Sequence, residues 1–169
     1  MKPAIGPHDV LVALLLVQNA LERRSESFFQ AFGLTGAQFN ILNLLAAAGG
    51  ALDQLALTER LLVGKSSISI VLNRMVKADL VGRREHARDR RQVVLVLTAK
   101  GRALWRKISP RYEAEVAEVF GALPPDRRAQ FLGALGTLYA ALKPDTETTA
   151  GGAPTLSLRE MMEFLTIRR

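Results

Sequence analysis

The stretch from Val81 to Leu97, VGRREHARDRRQVVLVL, constrains the fold more than any other part of the chain. Before it, apolar residues recur three or four apart, as helices require; here the period changes. Two short runs, VGRRE and QVVLVL, read as strands joined by a charged tip over residues 86–91, which predicts a β-hairpin. Arg84, Arg88, Arg90 and Arg91 lie within eight residues of one another. Like charges held this close repel, so the tip is expected to face something negative: a nucleic acid, a membrane surface, or only solvent. The strand VVLVL has a simpler task, anchoring the hairpin to a core through Val94 and Val96 or their alternates.

Helices are predicted on both sides. The first covers residues 8–31 and opens on the apolar run Val10–Val17. That run is too short to cross a bilayer and is expected to be buried on several sides. Gly33 stops it. Thr35 caps a second helix reaching Ala48, where Gly49–Gly50 ends it. Asp53 caps a short third helix carrying Leu57 and Leu61. A fourth, in GKSSISIVLNRMVKADL, places Ile68, Leu72, Met75 and Val76 on one face and Ser66, Ser69, Asn73 and Lys77 on the other. Past the hairpin, Thr98 caps a long helix containing Pro110, which is expected to kink it. After Pro124–Pro125 a last helix runs to Leu142. Residues 143–154 read as a linker. Beyond it, Ser157 to Glu160 fits a capping box, and Leu158, Met161, Met162 and Leu165 share a helical stripe. The order predicts a mainly α fold with a small β-hairpin wing, a winged helix-turn-helix between outer helices too apolar for one small domain to satisfy. A second copy of the chain is the natural cover.

Charge is localised. Residues 64–107 hold twelve lysines and arginines against three acids, a net of +9, whereas the remainder holds eleven against thirteen. A concentrated positive field marks a polyanion footprint. With no cysteine among 169 residues, disulfides, thiolate metal sites and cysteine redox sensing are excluded. His8 and His86 sit in unrelated settings, and no acid pair, nucleophile elbow or phosphate-cradling glycine loop accompanies them, so no enzyme, metal or cofactor is expected. A membrane surface would call for basic and bulky apolar residues on one amphipathic helix, and these arginines sit on a hairpin tip. No secretory signal is apparent, so a cytoplasmic location is expected.

LTGAQFNILNLL and LTERLLVGKSSISIVLNRMVKADLVGRREHARDRRQVVLVLTAKG resemble the core of the MarR family of bacterial transcription regulators, over residues 34–101. The pairing of Asp89-Arg90-Arg91 with Leu97-Thr98-Ala99-Lys100-Gly101 is the most specific part. The resemblance implies a homodimer on palindromic promoter DNA, usually a repressor relieved by a small ligand lodged between the dimerisation helices and the DNA-binding lobe. Residues 8–33 and 98–142 would dimerise, 34–97 would form the winged helix-turn-helix, and 143–169 would be a linker and short amphipathic segment. Asp79 stands where the family usually has glycine, and Ile70 where a polar or basic residue is usual.

Candidate DNA contacts follow from the chemistry of groove reading. On the fourth helix, Lys65, Ser66, Ser67 and Ser69 suit phosphates and close approach. Asn73 pairs with adenine, Arg74 with guanine or phosphate, and Ile70 with a thymine methyl. At the tip, Arg91 is expected to enter the minor groove, oriented by Asp89, while Arg84, Arg88 and Arg90 meet phosphates. For an effector, His8, Arg23, Phe28, Trp105 and Tyr112 are candidates. The rival class is a winged helix that binds protein and not DNA.

Overall fold

The computed structural model describes residues 5–61, 65–85 and 92–142, with side chains from 68 onward in the second stretch. Nine elements follow in order: α1 Pro7–Gln30, α2 Gly36–Ala47, β1 Ala51–Asp53, α3 Gln54–Arg60, α4 Lys65–Lys77, β2 Val81–Glu85, β3 Val93–Leu97, α5 Ala99–Gly121 and α6 Pro125–Ala141. Local chemistry sets the boundaries. The Thr35 hydroxyl accepts from the Gln38 amide (3.2 Å) while the Gln38 side chain accepts from the Thr35 amide (2.9 Å), closing a capping box on α2. Asp53 accepts from the amides of Leu55 and Ala56 and so starts α3. After α2, Gly49 and Gly50 take φ of +76° and +103°, which lets the chain turn straight into β1.

The sheet is antiparallel in the order β1-β3-β2, with Leu52 opposite Leu95 and Arg84 opposite Val94. β1 is an addition to the sequence reading: the hairpin supplies two strands of a three-stranded sheet whose central strand is β3. Leu95 and Leu97 join the core, and Val94 is buried as well. Phe39, Leu42, Leu57, Leu72, Leu95 and Ile108 are fully or almost fully buried, so α2, α3, α4, β3 and α5 share one core.

The apolar run at the start of α1 departs from expectation. Every large apolar side chain from Val10 to Val17 is exposed, between 39% and 65%. Among the described residues nothing covers this part of α1, which packs inward only from Leu21 on. α6 likewise has no buried residue. α5 is assigned as a single helix across Pro110. Among the described residues, no helix is long and apolar enough to cross a membrane.

Candidate nucleic-acid interface

α4 is built to show one face. Ile68, Leu72 and Met75 are buried, whereas Ser69, Ile70, Asn73, Arg74 and Lys77 point to solvent. An isoleucine 58% exposed in that row is not filling a core. The end of α4 is fixed by backbone chemistry. Asp79 takes a left-handed φ of +57°, the Leu80 amide reaches back to the Met75 carbonyl (2.9 Å), and the Asp79 amide to that of Val76 (3.0 Å). This is a Schellman closure with the buried pair Leu80 and Met75 as its apolar contact. Aspartate substitutes for glycine here because it tolerates left-handed geometry better than most residues.

Residues 97–101 hold that closure from behind. The Thr98 hydroxyl donates to the carbonyls of Asp79 (2.7 Å) and Leu80 (3.1 Å) and accepts from the Gly101 amide (2.9 Å), starting α5 in the same stroke. The Lys100 ammonium donates to the Ala78 carbonyl at 2.7 Å. At Gly101 the helix passes so close to the Leu80 carbonyl that a Cβ would overlap its oxygen. Lys100 is thus a structural cation at a helix C-terminus, and sequence reasoning about the basic segment did not separate it from residues free to meet a ligand.

β2 carries Arg83 and Arg84 exposed, with Arg84 on the strand paired to Val94. The tip residues Arg88, Asp89, Arg90 and Arg91 lie outside the described residues, as do the side chains of Lys65, Ser66 and Ser67 and the whole of 143–169.

A winged lobe with a three-stranded sheet and a helix offering an exposed polar face has known counterparts. The MarR family model matches residues 32–92. The chain is 32% identical over 117 residues to the HTH-type transcriptional regulator FarR of Neisseria gonorrhoeae, covering 67% of this chain and 79% of that protein. The chain belongs to the MarR family. To the HTH-type transcriptional repressor YetL of Bacillus subtilis (strain 168) this MarR protein is 26% identical over 138 residues, 81% of its own length and 83% of the relative's. Among solved structures, AbsC, a MarR family transcriptional regulator from Streptomyces coelicolor, superposes with a TM-score of 0.75 at 28% identity over 83% of this chain and 98% of that one. NadR in complex with 4-hydroxyphenylacetate gives 0.62 at 26% identity, over 84% and 100%. The present chain is accordingly a DNA-binding transcriptional regulator of MarR type, and not an enzyme.

The five residues named as effector candidates are not brought together. Between α1 and α5 lies an open crevice whose lining includes Phe28 and Tyr112. His8, Arg23 and Trp105 are not on its wall. His8 and Arg23 are exposed on α1, and the Trp105 indole donates to the Asn43 side chain (3.1 Å), tying α5 to α2. Tyr112 packs among Phe28, Phe29 and Phe39, with ring centres 4.9 to 6.1 Å apart. The residue that sequence reading missed is Arg24. Its guanidinium bridges the helices, meeting Glu115 at 2.8 Å and Glu118 at 2.9 Å. Hydrogen bonds to Glu118 and Glu115, reinforced by their charges, hold its pKa above the ordinary arginine value. No local pattern signals that pairing, because the partners are more than ninety residues apart.

Proposed function

We propose that the protein is a cytoplasmic homodimer that represses transcription by laying its two α4 helices and two wings on a palindromic site, and that a small molecule releases it, bound in the crevice between the dimerisation helices α1 and α5 and not, as the resemblance implies, between those helices and the DNA-binding lobe. The reading divides the chain into a dimerisation part (8–33 and 98–142), a winged helix-turn-helix (34–97), and a linker with a short amphipathic segment (143–169). The observation that carries it is the exposed row Ser69, Ile70, Asn73, Arg74 and Lys77 on a helix whose Ile68, Leu72 and Met75 are buried on the opposite face. A helix about 10–12 Å across fits the major groove. The repressor named among the relatives and the ligand-bearing structure similar to this chain support the control half of the reading. Lys65, Ser66 and Ser67 would complete the approach to phosphate. Arg91, aimed by Asp89, would enter the minor groove, and Arg84, Arg88 and Arg90 would neutralise backbone charge.

A mobility-shift titration on the DNA flanking its own gene, over a series of salt concentrations, tests this. If about 6–10 phosphates are neutralised per dimer, affinity should fall about 10³- to 10⁵-fold between 50 and 200 mM salt. Arg91→Ala should bind more weakly than the parent, and equal binding by both removes the role given to Arg91. Failure to bind any duplex would transfer the winged lobe to protein recognition.

Ile70 makes a sharper prediction. If its side chain covers a thymine methyl, replacing that thymine by deoxyuridine removes one buried methyl. That is about 0.8 kcal/mol, or about a fourfold loss of affinity. In Ile70→Ala the same replacement should change nothing. A binding scan with each half-site thymine replaced in turn checks it, and a flat scan for the parent protein would sink the contact.

A further inference from the structure

Resting on the reading of the α1–α5 crevice as the effector site, we infer that its ligand is an uncharged, ring-bearing apolar molecule, and that the crevice rejects carboxylates. The walls are Leu21, Phe28 and Phe29 from α1 and Tyr112, Val116 and Phe120 from α5. They are almost wholly carbon, so a bound anion would lose its hydration and find few donors inside. The basic group on the lining is Arg24, and it is already engaged: its Nε meets Glu115 and its Nη2 meets Glu118. One guanidinium against two carboxylates leaves an excess negative charge at the rim, which repels an approaching anion. An aromatic ring, by contrast, finds Phe28, Phe29, Tyr112 and Phe120 to pack on, where offset and edge-on contacts add to apolar burial.

The probes are p-cresol and p-toluate, equal in ring and methyl group but neutral and anionic respectively at pH 7.5. Binding to the full-length protein is measured by ligand-observed NMR titration. The parent should bind p-cresol at least about tenfold more tightly than p-toluate. In the Glu115→Gln/Glu118→Gln double variant, Arg24 keeps its charge and loses both counter-charges. There p-toluate should gain about tenfold while p-cresol stays within about twofold. Val116→Trp, which fills the crevice, should abolish p-cresol binding and so locate the site.

Equal or tighter binding of p-toluate by the parent overturns the inference. So do an unchanged preference in the double variant, retention of p-cresol by Val116→Trp, and binding of neither probe. A separate arm repeats the mobility shift with saturating p-cresol. If p-cresol binds as expected and DNA affinity does not move, the ligand class stands and the control of DNA binding through this crevice falls.

Discussion

Leu14→Asp/Leu15→Asp should convert the protein from a dimer to a monomer in sedimentation and lower its affinity for a two-half-site duplex by about 10²- to 10⁴-fold, the usual size of a bivalent advantage. The argument starts from eight consecutive residues, VLVALLLV, at the head of α1. Successive positions on a helix rotate by about 100°, so an unbroken apolar run surrounds the whole circumference. In the single chain every large side chain of that run is exposed. α6 adds Phe131, Leu132 and Leu138, each at least 40% exposed. So much apolar surface is stable in water only when another surface meets it. Two carboxylates placed there would have to be buried unpaired on association, at several kcal/mol each. The core shared by α2 to α5 does not include either position, so the winged lobe should keep its fold, as read by its helical circular dichroism. A double variant that still sediments as a dimer would exclude this face of α1 from the interface.

Gly101→Ala should cost about 3 kcal/mol or more and lower the melting temperature by about 6–12 °C, through a clash with backbone rather than through any loss of contact. A side chain that meets the end of a flexible neighbour can be accommodated by rotation. Here the overlap is with the carbonyl oxygen of Leu80, and this oxygen already accepts from the Thr98 amide and hydroxyl. To make room, α5 must withdraw from the end of α4, and the Thr98 and Lys100 bonds stretch with it. Gly121→Ala is the control: a Cβ there meets nothing within 4 Å. In a helix, alanine is favoured over glycine by up to about 1 kcal/mol, so this change should be neutral or mildly stabilising. Equal melting of the two variants would show that the close approach at Gly101 relaxes without cost.

Much of the architecture was legible because its boundaries are set by neighbouring residues. Thr35, Asp53 and Thr98 each cap the helix expected of them, and Asp79 adopts the left-handed turn that its place after a helix implied. The exposed side of α4 was readable for the same reason: with Ile68, Leu72 and Met75 inward, helical geometry leaves Ser69, Ile70 and Asn73 outward. What was lost depends on distance. β1 is three residues long and too short to show alternation; it exists because Leu52 and its neighbours find β3 more than forty residues later. The run Val10–Val17 read as buried because its composition is that of a core, but none of the described residues covers it. The crevice was half found. Phe28 and Tyr112 were chosen for their rings and line it, whereas Arg23 was chosen and its neighbour Arg24 bridges α1 to α5. One residue is about 100° of helix rotation, and only the packed fold says which arginine faces α5.

The fastening of α4 has a bearing on how such a protein can change its target. Among the described residues, what positions this helix acts on its carbonyls or on its inward side chains: Thr98 and Lys100 at its exit, and Ile68, Leu72 and Met75 beneath. Ser69, Ile70 and Asn73 take no part in holding it. On the proposed reading of this face, its letters can therefore be rewritten one at a time while the frame that presents them stays still, so a new recognition sequence is reachable by single substitutions without a passage through unfolded intermediates.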